Sequence, residues 1–175
     1  IDNVLIEVDG PELPIMDGSS IEFIKSLEKA GIKEQEAYKA YFEIKEKIFY
    51  NDKENNVEIA VYPHNEFRTT VMVDYNSPVL GSQHYTLNEL SKFKTEVANS
   101  RTFCFLHEVE ELYKKNLIKG GDLNNAIVIV DKVITKKKLD DISKLLGKKK
   151  VKVEKEGILN NIKLRYHNEP ARHKL

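Results

Sequence analysis

The sequence predicts an α+β fold in which helices lie against sheet, and three observations carry the prediction. Val57, Ile59 and Val61 alternate with polar positions, the period of a half-buried strand. Ile21, Ile24, Leu27 and Ala30 recur at the period of a helix with one apolar stripe. Three strand-like stretches in succession, at residues 41–50, 56–62 and 67–75, predict an antiparallel sheet with one covered face.

The elements follow in order. Val4, Ile6 and Val8 alternate and predict an opening strand, and the Pro- and Gly-rich residues 10–18 lead from it to a helix starting near Ser19. Ser19 and Glu22 match a capping box, and Gly31 suits the far end of that helix. The polar residues 33–38 mark a domain boundary. The polar turn at 51–56 makes the first two strands of the sheet a hairpin; in the third, Phe67, Thr69, Val71 and Val73 share a face. Thr86 and Glu89 match a second capping box, with Leu87, Leu90, Phe93 and Val97 as the stripe of its helix. A short strand at 101–105, a short helix at 108–115, a break at Gly120 and Gly121, and a buried strand at 126–130 come next. A last helix at 136–146 carries Leu139, Ile142 and Leu145 on one face and stops at Gly147. Its basic run, Lys136 to Lys138, reads as a solvated face, because acidic residues follow and no aromatics interleave.

Composition narrows the function. With 175 residues, 41% hydrophobic and 9% aromatic, the chain is globular. Lys and Arg total 28, as do Asp and Glu, so no long-range field draws nucleic acid or an anionic membrane, and nucleic acid is not an expected partner. No stretch approaches the roughly 20 apolar residues of a transmembrane helix. Cys104 is the only cysteine, which excludes an internal disulfide and fits a reducing, cytoplasmic setting; it reads as a small buried side chain. The chain opens on Ile1 in mid-pattern and stops just after His173, so both ends are expected to be the interior of a longer protein.

Four motifs add what periodicity lacks: Asp9 to Ser19 (DGPELPIMDGS), Ser100 to Phe105 (SRTFCF), Gly120 to Val128 (GGDLNNAIV) and Arg172 to Leu175 (RHKL). In this order and spacing they resemble the UDP-3-O-acyl-N-acetylglucosamine deacetylases (LpxC), zinc amidohydrolases of lipid A biosynthesis, and the resemblance spans nearly the whole chain. It implies that residues 1–33 end a first domain and residues 34–175 form most of a second. It also implies a UDP-linked acylated glucosamine as substrate. His173 resembles the first member of the family's HKxxD pair and is the one zinc ligand implied here. A catalytic zinc takes about three protein ligands, and the family's others, with its glutamate base, lie outside these residues; this segment alone is therefore expected to be inactive.

Further roles follow from the same resemblance. Lys174 is similar to a lysine that contacts substrate, and Thr102 to the threonine that stabilises the oxyanion. Phe103 resembles the aromatic lining the nucleotide side, and Tyr75, where the family commonly has Phe, faces the same ligand. Leu106, Val109, Ile118, Gly121 and Val128 fall on an inserted strand-helix-strand unit at 106–130 that forms a passage for the acyl chain, each buried methylene contributing about 0.8 kcal/mol. Without the resemblance, His173 is an exposed histidine, Thr102 a strand residue, the aromatics core, and the passage residues a small satellite core with Gly121 in a turn. His64, His84, His107 and His167 lack the spacing of a metal helix and read as surface or capping residues, His107 lying beside the 102–105 strand. Residues 131–168 depart from the common family form, and a long insertion at this place resembles the forms fused to a β-hydroxyacyl-carrier-protein dehydratase. The rival reading is a non-catalytic module that uses the acyl groove to bind a lipid or protein.

Overall fold

Ile21, Ile24 and Leu27 lie on one stripe, and residues Ile21–Ala30 form the first helix, α1. The computed structural model describes residues 1–115, 122–132, 134–145, 151–153, 157–160 and 162–175. The N-cap of α1 is Ser20, with no side-chain cap bond, so the box of Ser19 and Glu22 does not form. Asp17 takes Ser19 instead: the Ser19 hydroxyl and amide donate to its carboxylate at 2.7 and 3.1 Å. Glu22 turns to Lys25 at 2.6 Å. Gly31 ends the helix at φ 91°, a backbone conformation open to glycine, and donates to the Glu28 carbonyl.

The expected hairpin forms from β1 (Ile48–Asp52) and β2 (Val57–Val61), antiparallel with Ile48 opposite Val61 and Asp52 opposite Val57. It is not joined to the third strand. That strand, β3 (Thr69–Asp74), pairs with β4 (Ser82–Leu87), so the single sheet expected from the sequence is replaced by separate two-stranded pairs. The helix expected from Thr86 is also corrected. Thr86 lies in β4 opposite Thr70, their hydroxyls 2.8 Å apart, and this cross-strand bond replaces a cap. The apolar stripe is divided: Leu87 ends the strand almost fully buried, and after a 3-10 turn at Leu90–Lys92 only Phe93–Glu96 are α-helical (α2). Residues 1–8 form no strand, and Val4, Ile6 and Val8 are exposed. Alternation makes a strand only when another strand accepts its hydrogen bonds, and none of the described residues does so here.

The remaining strands, β5 (Phe103–Phe105) and β6 (Ile127–Ile129), are parallel, with α3 (Leu106–Lys114) between them in the chain. The two faces of β6 organise the core. Ile127 and Ile129 point into a cluster with Leu80, Phe105 and Ile158. Val128 and the following Val130 point the other way, to Leu106, Val109, Leu123, Ile142, Val151 and Leu159. Among the described residues of 131–168, Ile142, Val151, Ile158 and Leu159 thus belong to the core. Helix α4 (Lys136–Leu145) contributes Ile142, Ile158 bridges to Ile129, and Val153 bridges to Leu159. The side chain of Leu145 and the expected stop at Gly147 lie outside the described residues. The chain closes on α5 (Glu169–Lys174), with Pro170 in its first turn where its missing N–H costs no helical bond.

Candidate functional site

Alternation along β5 sends Phe103 and Phe105 to one face and Cys104 to the other. Cys104 packs against the cluster that holds Leu106 and Val109, and burial, with the nearby Glu108 charge, pushes its thiol up to about 11. Across the aromatic face, Tyr75 stands edge-on to Phe103 at 5.7 Å and to Phe105 at 5.4 Å. Helix α5 brings the His173 ring edge-on to Phe103 at 6.2 Å and places Lys174 Nζ 5.9 Å from the same ring. Four residues expected at the site, Tyr75, Phe103, His173 and Lys174, therefore meet, though they come from three separate parts of the chain.

Thr102 adjoins them as the residue before Phe103. Its amide donates to the Gly18 carbonyl at 2.7 Å, and its own carbonyl accepts from the Ile127 amide at 2.9 Å. The DGPELPIMDGS and SRTFCF motifs are thereby tied together. His107 stacks on Phe105 at 5.4 Å and bonds Asp131 at 3.2 Å, so it belongs to the edge of the aromatic group. Leu106, Val109 and Val128 are buried together on the other side of β5 and β6. Ile118 and Gly121 lie outside the described residues.

Sequence reasoning missed the residues that hold α5. Glu169 is completely buried, and its carboxylate accepts from the Arg101 amide and Nε, both at 2.9 Å, from Arg101 Nη2 at 3.1 Å and from the Arg165 amide at 2.6 Å. Arg165 in turn reaches Asp17 at 2.8 Å, which with Ser19 keeps the Asp17 carboxyl below its usual range against the opposing effect of burial. The Arg172 guanidinium lies between the rings of Tyr85 and Tyr166, 3.7 and 4.3 Å from their centroids, and donates to Asn168 and to the Glu96 carbonyl. The one sequence signal was Asn168-Glu169-Pro170, an acidic residue and a proline where a helix begins.

Desolvation lowers the pKa of His173, with Lys174 adding to the shift, while the Ser100 carbonyl and Glu169 oppose it; the residue as a whole remains exposed. The neutral ring is the form that ligates a metal. Among the described residues, however, no group of three His, Cys, Asp or Glu side chains is placed to hold a metal ion. His173 offers one imidazole, and Cys104 is held as a thiol. These residues alone do not make a catalytic zinc site, which needs about three protein ligands.

The scaffold and site define a class: an α+β protein whose aromatic face is edged by an imidazole and an ammonium. The chain belongs to the UDP-3-O-acyl N-acetylglycosamine deacetylase family, LpxC, whose sequence profile matches residues 1–141. All of it aligns with the bifunctional enzyme LpxC/FabZ of Porphyromonas gingivalis at 43% identity over 175 residues, and with that of Chlorobaculum tepidum at 48% over 178, covering 38% of each relative. It is 35% identical to the UDP-3-O-acyl-N-acetylglucosamine deacetylase of Teredinibacter turnerae, covering 50% of that protein. The chain spans at most half the length of these relatives.

Proposed function

We propose that this chain is the substrate-recognising part of a deacetylase that removes the N-acetyl group of UDP-3-O-acyl-N-acetylglucosamine, releasing acetate and leaving the free amine for lipid A synthesis. The meeting of Tyr75, Phe103, His173 and Lys174 carries this reading. The names of the aligned deacetylases support it. In this reading the Phe103 and Tyr75 rings give the sugar or uracil a broad apolar surface, and the Lys174 ammonium meets the negative charge of the nucleotide. Thr102 stabilises the developing oxyanion. Leu106, Val109, Ile118, Gly121 and Val128 guide the acyl chain.

His173 would be one ligand of a zinc ion completed by residues outside this segment, so the segment by itself would not turn over substrate. The full-length relatives from P. gingivalis and C. tepidum are named as LpxC/FabZ fusions. We read this chain as part of such a fusion, working in the cytoplasm. Among the described residues no helix is long and apolar enough to cross a membrane.

The test compares two substitutions in the intact polypeptide. His173→Ala should lose both zinc and deacetylation, whereas Thr102→Ala should keep zinc and lower kcat by about 10²- to 10³-fold. Metal analysis and acetate release decide it. An intact polypeptide that binds the substrate but releases no acetate would instead establish a non-catalytic binding module.

A further inference from the structure

We propose that Glu169 is a positioning residue: its buried carboxylate, held by Arg101 and by the Arg165 amide, sets the helix bearing His173 and Lys174 against the strand bearing Phe103. The kinetic part of the proposal rests on the deacetylase reading. The geometric part does not.

The argument begins with the length of α5. Six residues are too few for a helix to hold itself in water, so its orientation depends on tertiary bonds. Arg172 supplies some of them through Tyr85, Tyr166 and the Glu96 carbonyl, and Glu169 supplies others at the first helical position, four residues before His173 and hence on the same face one turn away. Arg101 lies two residues before Phe103, at the entry to β5. One carboxylate therefore joins the two elements at a fixed distance from both site residues.

The form of the bonding makes it a device for alignment. Oε1 accepts from the Arg101 amide and Nε, and Oε2 from Arg101 Nη2 and the Arg165 amide. Two of these donors are main-chain groups, so the backbone before β5 and the backbone before α5 are both fixed, and side-chain rotation cannot relax either. Arg101 Nη2 also donates to the Lys163 carbonyl at 2.8 Å, a third anchor for a guanidinium that meets the carboxylate through both Nε and Nη2. A buried ion pair is in general a poor source of net stability, because desolvating both charges offsets much of their attraction. What it does supply is a single geometry. Here that geometry brings the His173 ring to 6.2 Å and Lys174 Nζ to 5.9 Å from Phe103.

Glu169→Gln tests the idea: it preserves volume but turns an amide N–H₂ toward two of the four donors. Arg101→Lys is the second variant, keeping the charge but not the planar fork. Leu159→Ala, in the core cluster on the opposite face of β6, is the control for lost stability. In the full chain, NMR should show the His173 ring protons losing the ring-current shift from Phe103 in both variants, and keeping it in Leu159→Ala compared at equal loss of Tm. In the intact polypeptide the same two variants should lose about 100-fold in kcat/KM, the scale of an ångström-sized misplacement. Glu169→Asp should recover part of it.

Unmoved His173 signals in folded Glu169→Gln and Arg101→Lys would overturn the proposal. So would failure of both to fold while Leu159→Ala folds, since the pair would then be structural only. Shifted signals with undiminished turnover would uphold the placement and sink the deacetylase reading of these residues.

Discussion

Residues 1–62 and residues 97–175 both carry apolar side chains at regular intervals, yet only the second stretch buries them. In the first, Leu5 is 85% exposed, Phe42 90% and Ile59 53%, and the only buried residues are Gly18 and Ser19. In the second, Ile127, Ile129 and Leu159 are at 0%. The hairpin of β1 and β2 shows the difference plainly: Ile48, Tyr50, Val57, Ile59 and Val61 share one face by register, but nothing among the described residues closes over it. A period states which face is apolar. Burial also needs a surface to pack against, and β6 has one on each side.

The most direct way to break this comparison is to remove equal volumes from the two regions. Leu159→Ala should cost about 2–5 kcal/mol, because it leaves a cavity in a packed cluster. Ile59→Ala should change stability by no more than about 0.5 kcal/mol, because the side chain already meets solvent. Urea midpoints measure both. Equal losses would show that the hairpin is buried in solution and that the two regions do not differ as described.

A smaller effect tests the junction. Gly18 sits at φ +83°, and a Cβ there would lie 1.8 Å from the Asn125 carbonyl oxygen. Gly31, at φ +91°, has nothing within 4 Å of that point. Gly18→Ala should therefore cost about 2 kcal/mol or more from backbone strain and collision, and Gly31→Ala about 1 kcal/mol from strain alone. Because the Gly18 carbonyl accepts from the Thr102 amide, the first substitution should also disturb the Thr102 resonance. A Gly18→Ala chain as stable as the parent would mean that this tie between the regions does not exist.

How legible each part was follows from the same distinction. The hairpin, α1, β5, β6 and α4 were readable because each is specified by neighbours in the sequence: a polar turn between alternating runs, a stripe closed by Gly31, a dense apolar run. The strand β4 was not, since Thr86 and Glu89 satisfy a local capping rule while the winning interaction is with Thr70 on another strand. The site divides likewise. The family resemblance picked out Tyr75, Phe103, His173 and Lys174, and the fold brings them together. Glu169 and Arg101 are separated by 68 positions, and no local rule links a charged residue to a partner that far away. The stripe of Leu87, Leu90, Phe93 and Val97 failed for the related reason that helical spacing over four residues does not exclude a strand ending at the first of them.

The smallest expected effect concerns Cys104, whose thiol reports on its burial. Desolvation and the Glu108 charge hold its pKa near 11 rather than the ordinary 9.0, so the folded chain keeps the thiol proton where an unfolded chain gives it up. The raised value fixes the sign: this contribution to stability is fully present below about pH 9.0 and is lost as pH rises through 11. At pH 8 the thiolate fraction should be about 100-fold below that of a free cysteine, so alkylation should be slow in buffer and fast in urea. Placing a second thiol in the exposed region by Ile59→Cys gives an internal comparison within one molecule. Peptide mass analysis after a short pulse of iodoacetamide should find residue 59 modified and Cys104 intact. Equal labelling of the two would mean that β5 opens as readily as the hairpin is exposed, and the contrast between the regions would then be one of average position rather than of protection.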